Sequence, residues 1–195
     1  GSLDAYLSQR AVAAPFTLFE GVRKLPPGHM LRVGERGVEQ PRRYWQFPAP
    51  SPEHPREEEA VERLDALLQA AVDSALVADV PLGAYLSGGV DSSLIVAIMA
   101  KLRNGDRVKT FSAGFGDPRN DELPYARQVS DLLGTEHHEV HVTPEDFRSL
   151  WGRLTWHRDA PISEPADVAV FRLAELARRS VTVVLSGEGS DELFG

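Results

Sequence analysis

One alternation constrains this chain more than any other feature. From Arg56 onward, segments of helical period alternate with short apolar runs of strand length. Glu57 to Val77 carries Val61, Leu64, Leu67, Leu68, Ala71, Val72 and Ala75 at the spacing of one helix face. Val80-Pro81-Leu82-Gly83-Ala84-Tyr85-Leu86 reads as a buried strand, and Leu94 to Leu102 as a buried helix. A second strand is expected at Val108 to Phe115, and a helix from Glu122 to Leu133, stopped by Gly134. A third strand follows at Glu139 to Val142, helices at Pro144 to Trp156 and Asp167 to Arg178, and a fourth strand at Val181 to Leu185. Strands that alternate with helices imply right-handed crossovers and a parallel sheet covered on both faces, an α/β fold. Ligands of such sheets lie beyond the strand C-termini, where the strand order reverses.

The first strand is followed by Ser87-Gly88-Gly89-Val90-Asp91-Ser92-Ser93. A strand, a Gly-Gly turn and a helix start build an anion cradle, because the free amides of a helix N-terminus converge on one spot. Ser87, Ser92 and Ser93 are expected to add hydroxyl donors. Gly88 and Gly89 are expected to let the backbone approach a ligand without a Cβ in the way. No lysine precedes the serines, so this is not the Walker loop. The position holds Asp91, and a carboxylate beside phosphates is repulsive unless a cation lies between them, which points to Mg²⁺.

A second loop of the same kind, Ser186-Gly187-Glu188-Gly189-Ser190-Asp191-Glu192-Leu193-Phe194-Gly195, follows the fourth strand. Two such loops at one sheet edge can face each other across a single ligand, with Asp91 and Asp191 supplying carboxylates to one Mg²⁺. For each aspartate the alternative is N-capping of the helix that follows. Glu57-Glu58-Glu59 is read as a solvated first turn that complements the helix dipole rather than as a metal site. His137, His138 and His141 alternate in direction along a strand, which argues against a shared metal.

Composition narrows the partners. A formal net charge of -8 with no basic run weighs against nucleic acid. The absence of cysteine excludes disulfides, zinc-thiolate sites and a cysteine nucleophile within these 195 residues. No apolar run reaches membrane-spanning length and no signal-peptide pattern opens the chain, so a cytoplasmic protein without a membrane partner is expected. Gly1-Ser2 reads as a cloning remnant, and the chain as an excised piece. Residues 1–47 form an appendage with a short helix near Leu3 to Gln9 and a hairpin about Gly34-Glu35-Arg36-Gly37. The proline-rich residues 48–55 form a linker, and residues 56–195 the main domain.

The first loop resembles the pyrophosphate loop of ATP pyrophosphatases (adenine nucleotide alpha-hydrolase-like, PP-loop proteins). The pair of loops, with Glu192-Leu193-Phe194-Gly195 closing the second, resembles the synthetase domain of glutamine-hydrolysing asparagine synthetases. Lys24-Leu25-Pro26-Pro27-Gly28-His29 and Tyr44-Trp45 are similar to the end of that family's glutaminase domain. Phe111-Ser112-Ala113-Gly114-Phe115 and Leu132 to Glu139 are similar to its next two strands. Val90, where many relatives carry Leu, and Asp159-Ala160-Pro161, where relatives often carry Glu in the middle, depart from the pattern.

The resemblance implies ATP and Mg²⁺ as cofactors, with aspartate converted to asparagine through β-aspartyl-AMP and release of AMP and pyrophosphate. It assigns ATP contacts to Leu86, Ser87, Gly88, Gly89, Asp91, Ser92, Ser93, Ala113, Ser186 and Gly187. Asp91 and Asp191 would hold metal, and Glu188 would act in adenylate formation. Ammonia would come from glutamine through a glutaminase domain whose nucleophilic N-terminal cysteine is not in this chain. Residues that the family uses further along, a lysine near the phosphates among them, are also not in this chain, so the chain alone is expected to be inactive, and the full-length protein to form a homodimer. Two other readings stay open: a β-lactam synthetase-like or peptide-tailoring ligase acting on another carboxylate, and a regulatory module that binds ATP without turnover.

Overall fold

Parallel pairing organises the larger of two units in the computed structural model, which describes residues 1–49, 55–103, 105–117, 121–161 and 164–194. One unit comprises Gly1–His54 with Asp159–Ser163, the other Pro55–Arg158 with Glu164–Gly195. The smaller unit holds helix α1 (Ser2–Gln9) and four strands of two residues each: β1 (His29–Met30), β2 (Val33–Gly34), β3 (Gly37–Val38) and β4 (Arg42–Arg43). β2 and β3 pair antiparallel about Glu35-Arg36, and β1 pairs with β4 farther out, so the expected hairpin is an interrupted one. Of the expected linker, residues 50–54 lie outside the described residues.

The larger unit runs α2 (Glu57–Ala75), β5 (Leu82–Tyr85), α3 (Val90–Leu102), β6 (Lys109–Gly114), α4 (Leu123–Leu133) and β7 (Glu136–His141). It continues with α5 (Pro144–Arg158), α6 (Ala166–Ala177), β8 (Val183–Leu185) and α7 (Ser190–Phe194). The sheet order is β7-β6-β5-β8, with every pairing parallel. On one face, Ala84 and Leu86 pack with Val96, Ile98 and Met99 of α3, Ala126 of α4 and Val72 of α2. Val96 and Met99 are fully buried, and each such side chain contributes roughly 1.5–3 kcal/mol relative to exposure. On the other face, Phe111 packs with Ala177 and Val181 beneath α6, and Leu173 and Leu176 of α6 close over them. Both faces are covered, as a parallel sheet requires. Among the described residues no helix is long and apolar enough to cross a membrane.

Among the boundaries that differ from expectation, those of β7 and β8 have a cause in the hydrogen bonds. β7 begins at Glu136, because the Glu136 amide donates to the Val108 carbonyl and starts the ladder there. Its polar sequence hides this. His137 Nδ1 lies 2.9 Å from the hydroxyl of Thr110 on the neighbouring strand β6, while His138 stacks on Phe111 on the opposite face. β8 begins at Val183 rather than Val181, because the Val181 amide still donates to Ala177 at the end of α6.

Candidate functional site

From β5 the chain steps outward through α3 to β6 and through α4 to β7, then returns by α5 and α6 to β8 on the other side of β5. The strand order therefore reverses between β5 and β8, and the loops leaving these two strands open a crevice at their C-terminal ends. Ala84 pairs with Leu185, so the two loops depart side by side. They meet in a cleft of about 280 Å³. Ser87, Gly89, Asp91 and Ser92 line it from the first loop and Ser186, Gly187, Glu188 and Asp191 from the second. Contact between the loops is direct: a Cβ on Gly187 would lie 3.0 Å from the Ser92 amide nitrogen and 3.1 Å from Asp91 Cβ. A side chain there would require the first turn of α3 to give by a few tenths of an ångström.

The serines brace the first loop. Ser87 Oγ and Ser92 Oγ are 2.9 Å apart, the Ser87 amide donates to Ser92 Oγ at 3.2 Å, and the Gly89 amide donates to Ser87 Oγ at 3.1 Å. Ser92 Oγ also lies 3.3 Å from the Gly89 carbonyl. These two hydroxyls thus hold the turn while both residues also line the cleft. Gly89 caps α3 without any side-chain hydrogen bond, and the first intrahelical bond runs from Ser93 to Gly89. The amides of Val90, Asp91 and Ser92 therefore stand at the helix start without intrahelical acceptors. Gly88 also has a packing role. Its φ of 85° and its approach to α4, where a Cβ would sit 2.6 Å from the Ala126 nitrogen, serve the packing of α4 against the loop.

In the second loop Ser186 Oγ accepts from the Glu188 amide at 3.1 Å, and Ser190 Oγ donates to the Gly187 carbonyl at 2.8 Å. Asp91 does not cap its helix, since the cap position is Gly89 and no side chain fills that role. Its carboxylate is exposed beside the helix start, where negative charge is favoured by the dipole. Asp91 and Asp191 line the same cleft, and among the described residues no cluster of three acidic, histidine or cysteine side chains forms a closed metal cage. That donor set suits Mg²⁺, which takes one or two carboxylates and completes its shell with phosphate and water oxygens.

Leu86, Gly88, Ser93 and Ala113 lie outside the cleft wall. Leu86 is buried in the core; its amide donates to Phe111 and its carbonyl accepts from Ser112 Oγ. Ala113 sits within β6 opposite Val140. Ser93 Oγ is buried on the first turn of α3 and has no hydrogen-bond partner among the described residues. Conversely, the cleft includes Tyr85, Gly189, Ser190 and Glu192, which the sequence reading did not single out. Tyr85 was accessible to strand periodicity: alternation sets it on the face opposite Ala84 and Leu86. Burial pushes its phenol above the ordinary value of 10.0, so the hydroxyl stays protonated.

A parallel α/β sheet with two glycine- and serine-rich loops meeting in a cleft at its switch point defines the class of this protein, an α/β fold with a loop-lined crevice. The sequence matches the asparagine synthase family over residues 63–195, and the chain belongs to that family. It is 33% identical to glutamine-hydrolyzing asparagine synthetase 1 of Bacillus subtilis over 194 residues, which is 100% of this chain and 30% of that protein. It is 33% identical to a glutamine-hydrolyzing asparagine synthetase of Zea mays over 87% of this chain and 30% of that protein. The amidase chyE of Penicillium rubens is 35% identical over 91% of this chain and 29% of its own length. The chain thus spans about a third of the length of its curated relatives.

Proposed function

We propose that this chain is the ATP-activating part of an amide ligase that converts aspartate to asparagine through β-aspartyl-AMP, releasing AMP and pyrophosphate. The observation that carries the reading is the convergence of the two loops on one cleft at the sheet's switch point, within a chain of the asparagine synthase family. The leading amides of α3 would bind the pyrophosphate oxygens, where charge grows as the α–β phosphoanhydride bond breaks. Donors fixed in advance at that point lower the barrier because they need no reorganisation. Asp91 and Asp191 would hold Mg²⁺, which supplies charge neutralisation to the phosphates when bound. Glu188, exposed on the second loop, would orient ammonia and accept its proton as the amide forms. Residues 1–47 would close a glutaminase domain that delivers the ammonia, residues 48–55 would link it to the synthetase domain at 56–195, and the full-length protein would work as a cytoplasmic homodimer.

A second reading, amidation of a different carboxylate, draws support from the amidase of similar identity. Crystals soaked with AMP and pyrophosphate test what both readings share. Pyrophosphate density against residues 87–93 is the expected result, and density on another face of the sheet overturns the site. Asparagine formation from aspartate, MgATP and glutamine by the full-length protein separates the two readings.

A further inference from the structure

We propose that Tyr85 receives the acceptor substrate, its phenol hydroxyl donating a hydrogen bond to a carboxylate oxygen of that substrate. The inference rests on the amide-ligase reading above and names the residue that selects a carboxylate. It follows from the supply of donors. Among the described residues the cleft wall carries Asp91, Glu188, Asp191 and Glu192 and no lysine or arginine. A carboxylate that enters such a wall meets no cationic side chain, so hydroxyl and amide donors are the protein groups that can hold it. Most of the serine hydroxyls are spent. Ser87 and Ser92 pair with each other, and Ser190 donates to the Gly187 carbonyl. The leading amides of α3 belong to the phosphate end. Tyr85 and Ser186 are left with hydroxyl protons that no described residue accepts.

Tyr85 is also the better placed of these two to be rigid. It is the last residue of β5, and its ring rests against the Phe111, Ala177 and Val181 cluster under α6. Tyr85 also lines an adjoining cleft of about 570 Å³ with Arg178, Thr182 and Val184. The residue is thus common to two cavities, so an acceptor bound beside it would leave the loops to the nucleotide. Burial keeps the phenol protonated, so it donates at any physiological pH.

Calorimetry on the full-length protein, loaded with Mg²⁺ and the non-hydrolysable analogue α,β-methylene-ATP and titrated with aspartate, tests this. Tyr85→Phe keeps the ring and its packing, and an unchanged melting temperature verifies that. Loss of a hydrogen bond to a charged group should weaken aspartate binding about tenfold, with nucleotide affinity unchanged. Equal aspartate affinity in the variant and the parent overturns the proposal. An equal loss of nucleotide affinity overturns it too, because Tyr85 would then be a nucleotide contact. If the parent binds the nucleotide analogue but no aspartate, the acceptor assignment falls and Tyr85 with it, while the nucleotide site stands. If it binds neither, the amide-ligase reading itself fails.

Discussion

At the scale of single residues, the site separates groups that shape it from groups that face a ligand. Ser87 and Ser92 bond within the turn, whereas Asp91 and Glu188 stand exposed on the cleft wall. Asp91→Asn tests the metal role directly. Asn is as good a helix cap as Asp, and Asp91 is not a cap here, so the substitution changes charge alone. ATP binding in the presence of Mg²⁺ should weaken about tenfold or more, the effect of removing one of a very few metal ligands, while binding in EDTA is unchanged. Equal losses under both conditions, measured by calorimetry, would remove Asp91 from the metal site. Glu188→Gln probes the chemical step instead. In the full-length protein MgATP affinity should hold, and asparagine formation should fall by about 10²-fold or more, the scale of one positioned proton-transfer group. An unchanged rate of asparagine formation would leave Glu188 with only its place in the turn.

At the scale of elements, glycine decides how closely loops and helices approach. Gly88 combines a φ of 85° with a gap to α4 that no Cβ can occupy. Gly88→Ala should therefore cost about 1–2 kcal/mol for the left-handed backbone, and about 1–3 kcal/mol more for the forced displacement of α4. A fall in melting temperature together with faster amide exchange in the first turn of α4 is the expected result. A variant as stable as the parent would show that α4 yields without cost. The elements themselves were largely legible: apolar runs located β5, α3 and β6, and Gly134 marked the end of α4 with the expected left-handed cap. The start of β7 was hidden because it is an edge strand whose side chains are polar. His137 and His138 find their partners in Thr110 and Phe111, residues far away in sequence.

At the scale of the whole molecule, stability should depend on pH in a direction set by three groups. Burial holds His137 below its ordinary value of 6.5, with Glu139 only partly offsetting this. Its side chain is 11% exposed. The Arg127 hydrogen bond and charge hold Glu139 below 4.5, and hydrogen bonds from Thr143 hold Asp146 below 3.8. In each case the unfolded chain takes up its proton at higher pH than the folded one. Stability is therefore full above the unfolded value and is lost as pH falls toward the folded value. His137 gives the first window, beginning near 6.5; the two carboxyls give a second, below about 4.5. Melting temperatures measured from pH 7.5 down to 5.5 should fall, and His137→Gln should flatten that slope while leaving the acid limb. A melting temperature that rises as pH drops through 6.5 would contradict the burial of His137.

The sequence by itself determined the α/β class, the place of both loops at strand ends and the acidic character of the site, because these follow from local periodicity and from residue types at short spacing. Only the tertiary structure decided which members of the loops face the cleft. Leu86 and Ser93 turn into the protein, and Gly88 serves α4, because neighbouring elements occupy the space around them. Tyr85 became a wall of the cleft for the same reason: β8 returns beside β5 after more than eighty residues, and sheet order, which no local pattern encodes, brings the second loop across from it.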